Sequence, residues 1–177
     1  MAATTDNLKV LFSEEQLQTR IKSLAGEIND FYNGEEVVIV CVLKGAVMFM
    51  TDLAKYLTMP VLMEFLRLSS YGNGQKSSGI VKTIDSKLPD LSGKNILIVE
   101  DIIDTGLTAE YLIGFLKEKF SPKTVKFCSL LNKREMRKSN IQPDFYGFDI
   151  DNKFVVGYGL DDAGYCRNLP YIGYKEV

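Results

Sequence analysis

The sequence contains no histidine among its 177 residues. This absence excludes Ser-His-Asp and Cys-His nucleophile systems, and it excludes zinc sites that need a histidine ligand. Acid–base chemistry therefore falls to Asp, Glu, Lys, Tyr or Cys side chains. A bound metal ion is expected to be a hard cation with oxygen ligands, and Mg²⁺ is the leading candidate.

Cysteines are few and long apolar runs are absent. Cys41, Cys128 and Cys166 are widely separated and form no CxxC motif, which favours free thiols in a reducing cytoplasm over a disulfide framework. The longest fully apolar run, from Val37 to Leu43, is too short to span a bilayer. The N-terminus lacks the basic and apolar regions of a secretory signal. We expect a cytoplasmic protein with no membrane partner.

A strong charge of either sign is also missing, since the net charge is -2 at pH 7. No basic surface for nonspecific nucleic-acid binding is indicated, and no nucleic-acid partner is expected. Charged residues make up 25% and hydrophobic residues 46% of the chain, which is typical of globular proteins. The length and the absence of a repeat or linker predict a single domain over residues 1–177.

Helix and strand patterns alternate along the chain. Ser13 to Gln16 has the form of a capping box, and apolar residues follow at helical spacing up to Tyr32. Further helices are predicted at 47–57 and after 108, and strands at 36–43, 59–68, 80–84, 95–99, 124–131 and 154–156. This order predicts an α/β fold with a mainly parallel twisted sheet flanked by helices.

Ligands of such sheets bind beyond the carboxyl ends of the strands. Four segments with functional side chains are predicted to lie at such ends: residues 44–45, 100–108, 133–134 and the region after Val156. Their coincidence is more informative than any one of them.

The segment 95–108 is the most informative of the four. The apolar residues 96–99 precede Glu100 and Asp101, and Asp104 and the Thr-Gly-Leu-Thr turn 105–108 come before a helical pattern. Carboxylates suit a polyol or Mg²⁺, and a glycine-containing turn at a helix N-terminus suits phosphate. The segment therefore predicts a site for a phosphorylated sugar. Taken singly, the acid pair could be a solvated strand end and Asp104 a helix cap.

Residues 96–108 resemble the phosphoribosyl pyrophosphate (PRPP) signature of type I phosphoribosyltransferases: four apolar residues, two acids, two apolar residues, Asp-Thr-Gly, any residue, and Thr. The wider pattern resembles the hypoxanthine-guanine phosphoribosyltransferases, through residues 43–45, 70–71, 131–133, 153–161 and Arg167. The resemblance runs from about Leu11 to Tyr174. It implies the type I phosphoribosyltransferase fold, with a small hood formed by the N- and C-terminal segments and a mobile lid loop at about 69–82.

The resemblance assigns the signature to the ribose and its phosphate. Glu100 and Asp101 would hold the 2′- and 3′-hydroxyls, because ionised carboxylates accept hydrogen bonds from hydroxyl groups. Asp104 would act at purine N7, as a general base or as a stabiliser of the proton there. The residues that would wrap the 5′-phosphate are Thr105, Gly106, Leu107 and Thr108, with Gly106 permitting a close approach.

The pyrophosphate would be bound by two loops and an arginine. The residues implied are Leu43, Lys44, Gly45, Ser70, Tyr71 and Arg167. The first loop often contains a cis peptide in the family, and the lid would keep water from the ribooxocarbenium-like transition state. The arginine offers a bidentate fork to phosphate oxygens. Without the resemblance, residues 44–45 could be an ordinary turn and residues 69–79 a disordered loop.

The purine would be bound by Lys133, Phe154, Val155 and Asp161. Lys133 is donor-only, so it suits the 6-oxo group and disfavours the 6-amino group of adenine. Phe154 would stack on the base, and Val155 would contact its edge through backbone groups. Without the resemblance, Lys133 could be a surface lysine and Phe154 a core residue. The expected Mg²⁺ ligands are Glu100, Asp101 and Asp161, the last through water.

The resemblance implies a purine salvage enzyme. It would transfer the phosphoribosyl group from PRPP to N9 of hypoxanthine or guanine, giving IMP or GMP and pyrophosphate; residues 162–164 depart from the family and leave xanthine open. A homodimer or homotetramer is expected, with an interface on helix 47–57. The alternative is a regulator of this fold that senses PRPP or nucleotides. A receiver domain is excluded, because the acid pair follows the third core strand rather than the first.

Overall fold

The computed structural model describes residues 8–70, 81–84 and 87–175. The helices in these parts of the chain are α1 (Glu14–Tyr32), α2 (Val47–Ala54) and α3 (Leu107–Phe120), with a 3-10 turn at Arg134–Met136. The strands are β1 (Leu8–Phe12), β2 (Val37–Leu43), β3 (Val61–Ser70), β4 (Val81–Ile84), β5 (Asn95–Ile103), β6 (Thr124–Asn132), β7 (Phe145–Asp149), β8 (Val155–Val156) and β9 (Ile172–Lys175). None of the described helices is long and apolar enough to cross a membrane.

The main sheet has the strand order β4-β3-β2-β5-β6-β7. Its last five strands are parallel, and β4 pairs antiparallel with β3 at the edge. In the centre, Val37 lies beside Val61 on one side and Asn95 on the other. This confirms the predicted mainly parallel sheet and the returning strand near residue 84.

Every residue of strand β2 is apolar, and the strand is covered on both faces of the sheet. Alternate side chains of β2 belong to two different cores. Ile39 and Cys41 pack with α1 and α2, while Val38 and Val40 pack on the opposite face with α3. Strands that are covered on both faces lack the polar alternation of a half-exposed sheet.

Helix α1 begins as its sequence predicts. Ser13 Oγ accepts a hydrogen bond from the Gln16 backbone N–H at 3.3 Å, and Gln16 Oε1 accepts one from the Ser13 N–H at 2.9 Å. The helix ends at Asn33, which has a left-handed φ of 46°. The predicted capping box is therefore confirmed.

A second, antiparallel sheet of order β1-β9-β8 forms the hood. It joins the N- and C-terminal segments, as the resemblance implied, and its residues Val155, Tyr158, Leu160 and Ile172 share the core of α1 and α2. One expectation is wrong. The region after Val156 does not follow a strand of the parallel sheet, because β8 belongs to the hood.

Two further boundaries differ from the prediction. Strand β5 continues to Ile103, so Glu100 and Asp101 lie within the strand rather than beyond it. In the predicted lid, β3 extends to Ser70 and β4 starts at Val81. The rest of the lid, including Tyr71, lies outside the described residues, as does the side chain of Ser70.

Candidate functional site

A cavity of about 80 Å³ lies at the turn between β5 and α3. It is lined by Glu100, Ile102, Ile103, Asp104, Thr105, Gly106, Thr108 and Ala109. The cavity thus brings together residues predicted separately for the ribose, for purine N7 and for the phosphate, although Leu107 is not part of its lining. The free N–H groups at the start of α3 make this end of the helix suitable for an anion.

Gly106 is required by both conformation and space. Its φ is +80°, and a Cβ at this position would lie 2.3 Å from Ser139 Oγ and 2.7 Å from Arg137 Cδ. The N–H of Leu107 donates to Thr105 Oγ1 at 3.4 Å. The turn is therefore packed against Arg137 and Ser139 and held by its own internal hydrogen bond, and only glycine fits at position 106.

The two adjacent acids have different surroundings. Glu100 lines the cavity below α3, and burial, reinforced by the charge of Asp101, raises its pKa well above the usual value. Asp101 lies against the turn after β2, since a Cβ on Gly45 would be 1.6 Å from Asp101 Oδ2. Burial raises the pKa of Asp101, while a 2.9 Å hydrogen bond from the Ile102 N–H and the charge of Arg167 oppose that shift.

The turn between β2 and α2 contains a cis peptide bond between Leu43 and Lys44. The hood approaches this turn closely. Gly159 has a φ of +102°, and a Cβ there would lie 2.0 Å from the Gly45 carbonyl oxygen. The turn is therefore enclosed between Asp101 on one side and the hood on the other.

Arg167 extends from the hood into the same region. Its Nη1 donates to the Gly159 carbonyl at 2.6 Å, and its Nη2 lies 2.6 Å from Asp161 Oδ1. The other oxygen of Asp161 accepts from the Gly164 N–H at 2.7 Å. The structure thus brings Arg167 and Asp161 together beside Asp101, and the arginine fork is already engaged by two oxygen acceptors.

Lys133 and Phe154 differ in exposure. The Lys133 N–H donates to the Ile103 carbonyl at 3.0 Å, which places the lysine beside the end of β5. Lys133 is 8% exposed, and no carboxylate among the described residues pairs with its ammonium group.

Phe154 lies on the hood directly before β8 and is 59% exposed, whereas Val155 is buried. An exposed ring is available for stacking, which the core interpretation of Phe154 did not anticipate.

The acidic side chains described for this site do not by themselves provide a complete set of metal ligands. Within the described ranges, no three acidic or cysteine side chains converge at a distance suitable for a metal ion. Glu100, Asp101 and Asp161 are therefore not a closed set of ligands. Any Mg²⁺ bound here would need oxygen atoms from a substrate, which is the usual arrangement for this ion at phosphate sites.

Sequence reasoning missed Arg137, which donates to the Asp104 carbonyl from Nε at 3.1 Å. Its guanidinium also donates to Asn132 Oδ1 and to the Ile141 carbonyl. The available signal was the basic stretch after β6, in which Arg137 lies four residues beyond Lys133. Nothing in the sequence distinguishes its role from that of a solvated surface arginine.

A second missed contact attaches the hood to the helices. Tyr158 Oη donates to Asp52 Oδ2 at 2.5 Å, and Gln18 Nε2 donates to the same oxygen at 2.7 Å. Tyr158 is buried and directly precedes Gly159, which contacts the Gly45 turn. Helices α1 and α2 therefore fix the hood segment that closes over this turn.

A larger cavity of about 500 Å³ lies elsewhere, between α1 and the stacked rings of Phe12 and Phe148. None of the predicted site residues lines it. Its polar lining residue Arg20 already donates to two backbone carbonyls and pairs with Glu27. The smaller cavity at the signature therefore remains the candidate site.

Comparisons with known proteins point to one family. The family model described as the phosphoribosyl transferase domain matches residues 10–163. A hypoxanthine-guanine phosphoribosyltransferase of Aquifex aeolicus is 46% identical over 166 residues, which cover 93% of this chain and 93% of that protein.

Solved structures agree. A hypoxanthine-guanine phosphoribosyltransferase from Bacillus anthracis matches with a TM-score of 0.90 and 42% identity, covering 95% of this chain and 98% of that one. A Trypanosoma cruzi hypoxanthine phosphoribosyl transferase, studied for the role of its C-terminal region in oligomeric state and enzymatic activity, matches with a TM-score of 0.89 and 39% identity. That match covers 98% of this chain and 94% of the Trypanosoma chain.

Proposed function

This chain belongs to the hypoxanthine-guanine phosphoribosyltransferase family, and we propose that it transfers the 5-phosphoribosyl group from PRPP to N9 of hypoxanthine or guanine. The products are IMP or GMP and pyrophosphate. The proposal rests on one cavity that is lined by Asp104, Thr105, Gly106 and Thr108. The backbone N–H of Lys133 is hydrogen-bonded to Ile103 at the end of β5, the strand that leads into this cavity. The proposed reaction makes the chain a purine salvage enzyme.

The signature cavity binds the ribose 5-phosphate part of PRPP. The N–H groups at the start of α3 and the hydroxyls of Thr105 and Thr108 donate to the 5′-phosphate. Gly106 keeps the backbone accessible to it. Glu100, which lines the same cavity, and Asp101, which follows it on β5, accept from the ribose hydroxyls.

Asp104 accepts a hydrogen bond from the proton at N7 of the purine. Its Oδ1 is buried and has no hydrogen-bond partner among the described residues. A buried acceptor without a partner is costly unless a ligand satisfies it. As positive charge develops on the ribose and N9 attacks C1 with inversion, this oxygen accepts a hydrogen bond at purine N7. The enzyme contributes mainly positioning and electrostatic stabilisation.

The leaving pyrophosphate is stabilised by Lys44 and Arg167. Arg167 has to share its fork between Asp161 and the phosphate oxygens, because both of its terminal nitrogens are already engaged. The acids of the site fit Mg²⁺ as hard oxygen donors, with the remaining ligands supplied by PRPP. When bound, the ion neutralises part of the pyrophosphate charge.

The choice of base follows from Lys133 and Phe154. The ammonium group of Lys133 has no carboxylate partner among the described residues, so its N–H groups are available for a 6-oxo oxygen. The exposed ring of Phe154 stacks on the purine, Val155 contacts the edge of the base, and Asp161 lies on the same hood segment.

Relative kcat/KM values for hypoxanthine, guanine, xanthine and adenine, with PRPP and Mg²⁺, test this function. We expect turnover of hypoxanthine or guanine and none of adenine. Calorimetry with PRPP and Mg²⁺ provides an independent measurement of donor binding. Donor binding without turnover of any base would favour a regulator that senses PRPP, and no donor binding would contradict the proposed transfer reaction.

We also propose a single domain that forms a homodimer or homotetramer in the cytoplasm. The three free and buried thiols suit a reducing compartment. Exposed apolar residues occur on α2 at Met48, and more of them lie on the adjacent strand β3, at Leu62, Met63 and Phe65. Met63 and Phe65 pair with Ile39 and Cys41 of β2, so they lie on the sheet face of α1 and α2, whereas Leu62 points to the opposite face. Exposed apolar side chains at this place fit a second copy of the chain, and the Trypanosoma relative has been studied for the role of its C-terminal region in oligomeric state.

A further inference from the structure

We propose that Arg137 is a positioning residue for phosphoribosyl transfer, which holds the backbone of Asp104 and couples it to the strand end that presents Lys133. The proposal rests on the function proposed above, because it assigns Arg137 a role through Asp104. Arg137 itself is not among the residues that line the cavity.

Three acceptors surround the guanidinium of Arg137. Nε donates to the Asp104 carbonyl at 3.1 Å, and Nη2 donates to Asn132 Oδ1 at 2.7 Å. Nη1 donates to the carbonyl of Ile141. A planar guanidinium can serve three acceptors in fixed directions, whereas a lysine ammonium presents one compact charge on a flexible stem.

The rest of the Arg137 segment packs along the signature turn. Its Cδ lies 2.7 Å from the position that a Cβ of Gly106 would occupy. The Thr105 carbonyl accepts from the N–H groups of Lys138 and Ser139, at 2.8 and 3.2 Å. Residues 137–139 therefore form a second layer behind Asp104, Thr105 and Gly106.

Asn132 connects this layer to the base-binding side. It is the last residue of β6, it is 1% exposed, and it directly precedes Lys133. Its Nδ2 donates to Asp149 Oδ1 at 2.8 Å, which orients its Oδ1 toward Arg137. One side chain thus links the peptide of Asp104 to the residue before Lys133.

Such a link has a physical reason. Asp104 Oδ1 must stay free to accept from the purine, so no internal hydrogen bond can hold that oxygen in place. Its position is then determined through the backbone, which Arg137 fixes at the carbonyl of the same residue. A displacement of about 1 Å in a reacting group can cost a factor of about 10² in rate.

The experiment compares Arg137→Gln and Arg137→Lys with matched changes at Arg20. Arg20 makes a similar set of contacts far from the site: it donates to the carbonyls of Gly147 and Tyr146 and pairs with Glu27. We expect Arg137→Gln to lower kcat about tenfold or more while the KM for hypoxanthine changes much less. Arg137→Lys should recover part of the loss, and Arg20→Gln should leave kcat unchanged.

A double-mutant cycle separates positioning from a general structural role. If Arg137 acts through Asp104, Arg137→Gln should have little further effect on kcat in an Asp104→Asn background. An undiminished loss in that background would overturn the proposal, and so would wild-type kcat in the Arg137→Gln variant. If Arg137→Gln fails to fold, wild-type kcat in Arg137→Lys would overturn it too. Inactive wild-type protein would instead contradict the proposed function, since that measurement involves no substitution.

Discussion

At the scale of single residues, the proposed chemistry depends on Asp104. Its Oδ1 is buried without a partner in the described structure, which leaves it available to the N7 proton. Asp104→Ala should lower kcat by about 10²-fold or more, the usual scale for loss of a general acid–base group. Steady-state kcat with hypoxanthine measures this, with Asp30→Ala at an exposed position as the control. Near-wild-type turnover would refute the role of Asp104.

In the proposed function, Lys133 is the residue that selects the base. The residue is 8% exposed, and no carboxylate among the described residues pairs with its ammonium group, which is therefore available to the 6-oxo group of a ligand. Lys133→Gln should relax the preference for 6-oxopurines, because an amide can both donate and accept. The ratio of kcat/KM for hypoxanthine and adenine measures this preference, with Lys117→Gln on the exposed side of α3 as the control. Unchanged discrimination against adenine would argue against the assignment.

At the scale of elements, the turn after β2 has no space for a side chain at position 45, which only glycine can occupy. A Cβ there would lie 1.6 Å from Asp101 Oδ2, so Gly45→Ala must displace either the turn or the carboxylate. We expect a marked rise in the KM for PRPP. The matched control is Gly26→Ala in α1, where nothing lies within 4 Å and the change should stabilise the fold by about 1 kcal/mol. An unchanged KM in Gly45→Ala would contradict the proposed pyrophosphate site.

The attachment of the hood to α2 should depend on pH. Burial alone would raise the pKa of Asp52, but hydrogen bonds from Lys55, Tyr158 and Gln18 lower it below the usual 3.8. A carboxyl with a lowered pKa in the folded state stabilises the fold above its unfolded pKa, and this contribution is lost as the pH falls through the folded pKa.

Asp52→Asn should therefore reduce the free energy of unfolding by about 1.5 kcal/mol at pH 7, the lower end of the range for hydrogen bonds to a charged group, because the amide oxygen can still accept. The difference from wild type should shrink as the pH is lowered below 3.8. Urea unfolding at several pH values measures this, with Asp30→Asn as a control that should show no such trend. A difference that stays constant with pH would show that the carboxylate charge is not responsible.

At the scale of the whole molecule, the proposed assembly depends on the exposed apolar residues of β3. Phe65 is 45% exposed on that strand, and the exposed side chain of Met63 lies on the same face of the sheet. If a second copy covers this surface, Phe65→Glu should shift the assembly toward the monomer in analytical ultracentrifugation. Val10→Glu, at an apolar position in the hood that is 55% exposed, should leave the assembly unchanged. A wild-type monomer would remove the basis of the oligomer proposal.

Local patterns predicted most of the main sheet. The capping box at Ser13 and the uniformly apolar β2 are short-range signals, and the structure follows both. The hood strand β1 escaped notice because its five residues satisfy their backbone only by pairing with β9, more than 150 residues away. Strand β8 pairs antiparallel with the same strand β9, which places it in the hood and not in the parallel sheet that the sequence pattern predicted for the region before residue 157.

The sequence by itself determined the family and the residues of the signature, because their order and spacing along one strand and one turn are local properties. Only the tertiary structure decided that Asp101 lies against Gly45 while Glu100 lines the cavity, and that Arg137 supports Asp104 from behind. The physical reason is that contacts between distant segments depend on how the strands and the hood pack. Neither the spacing of residues nor their composition records that packing.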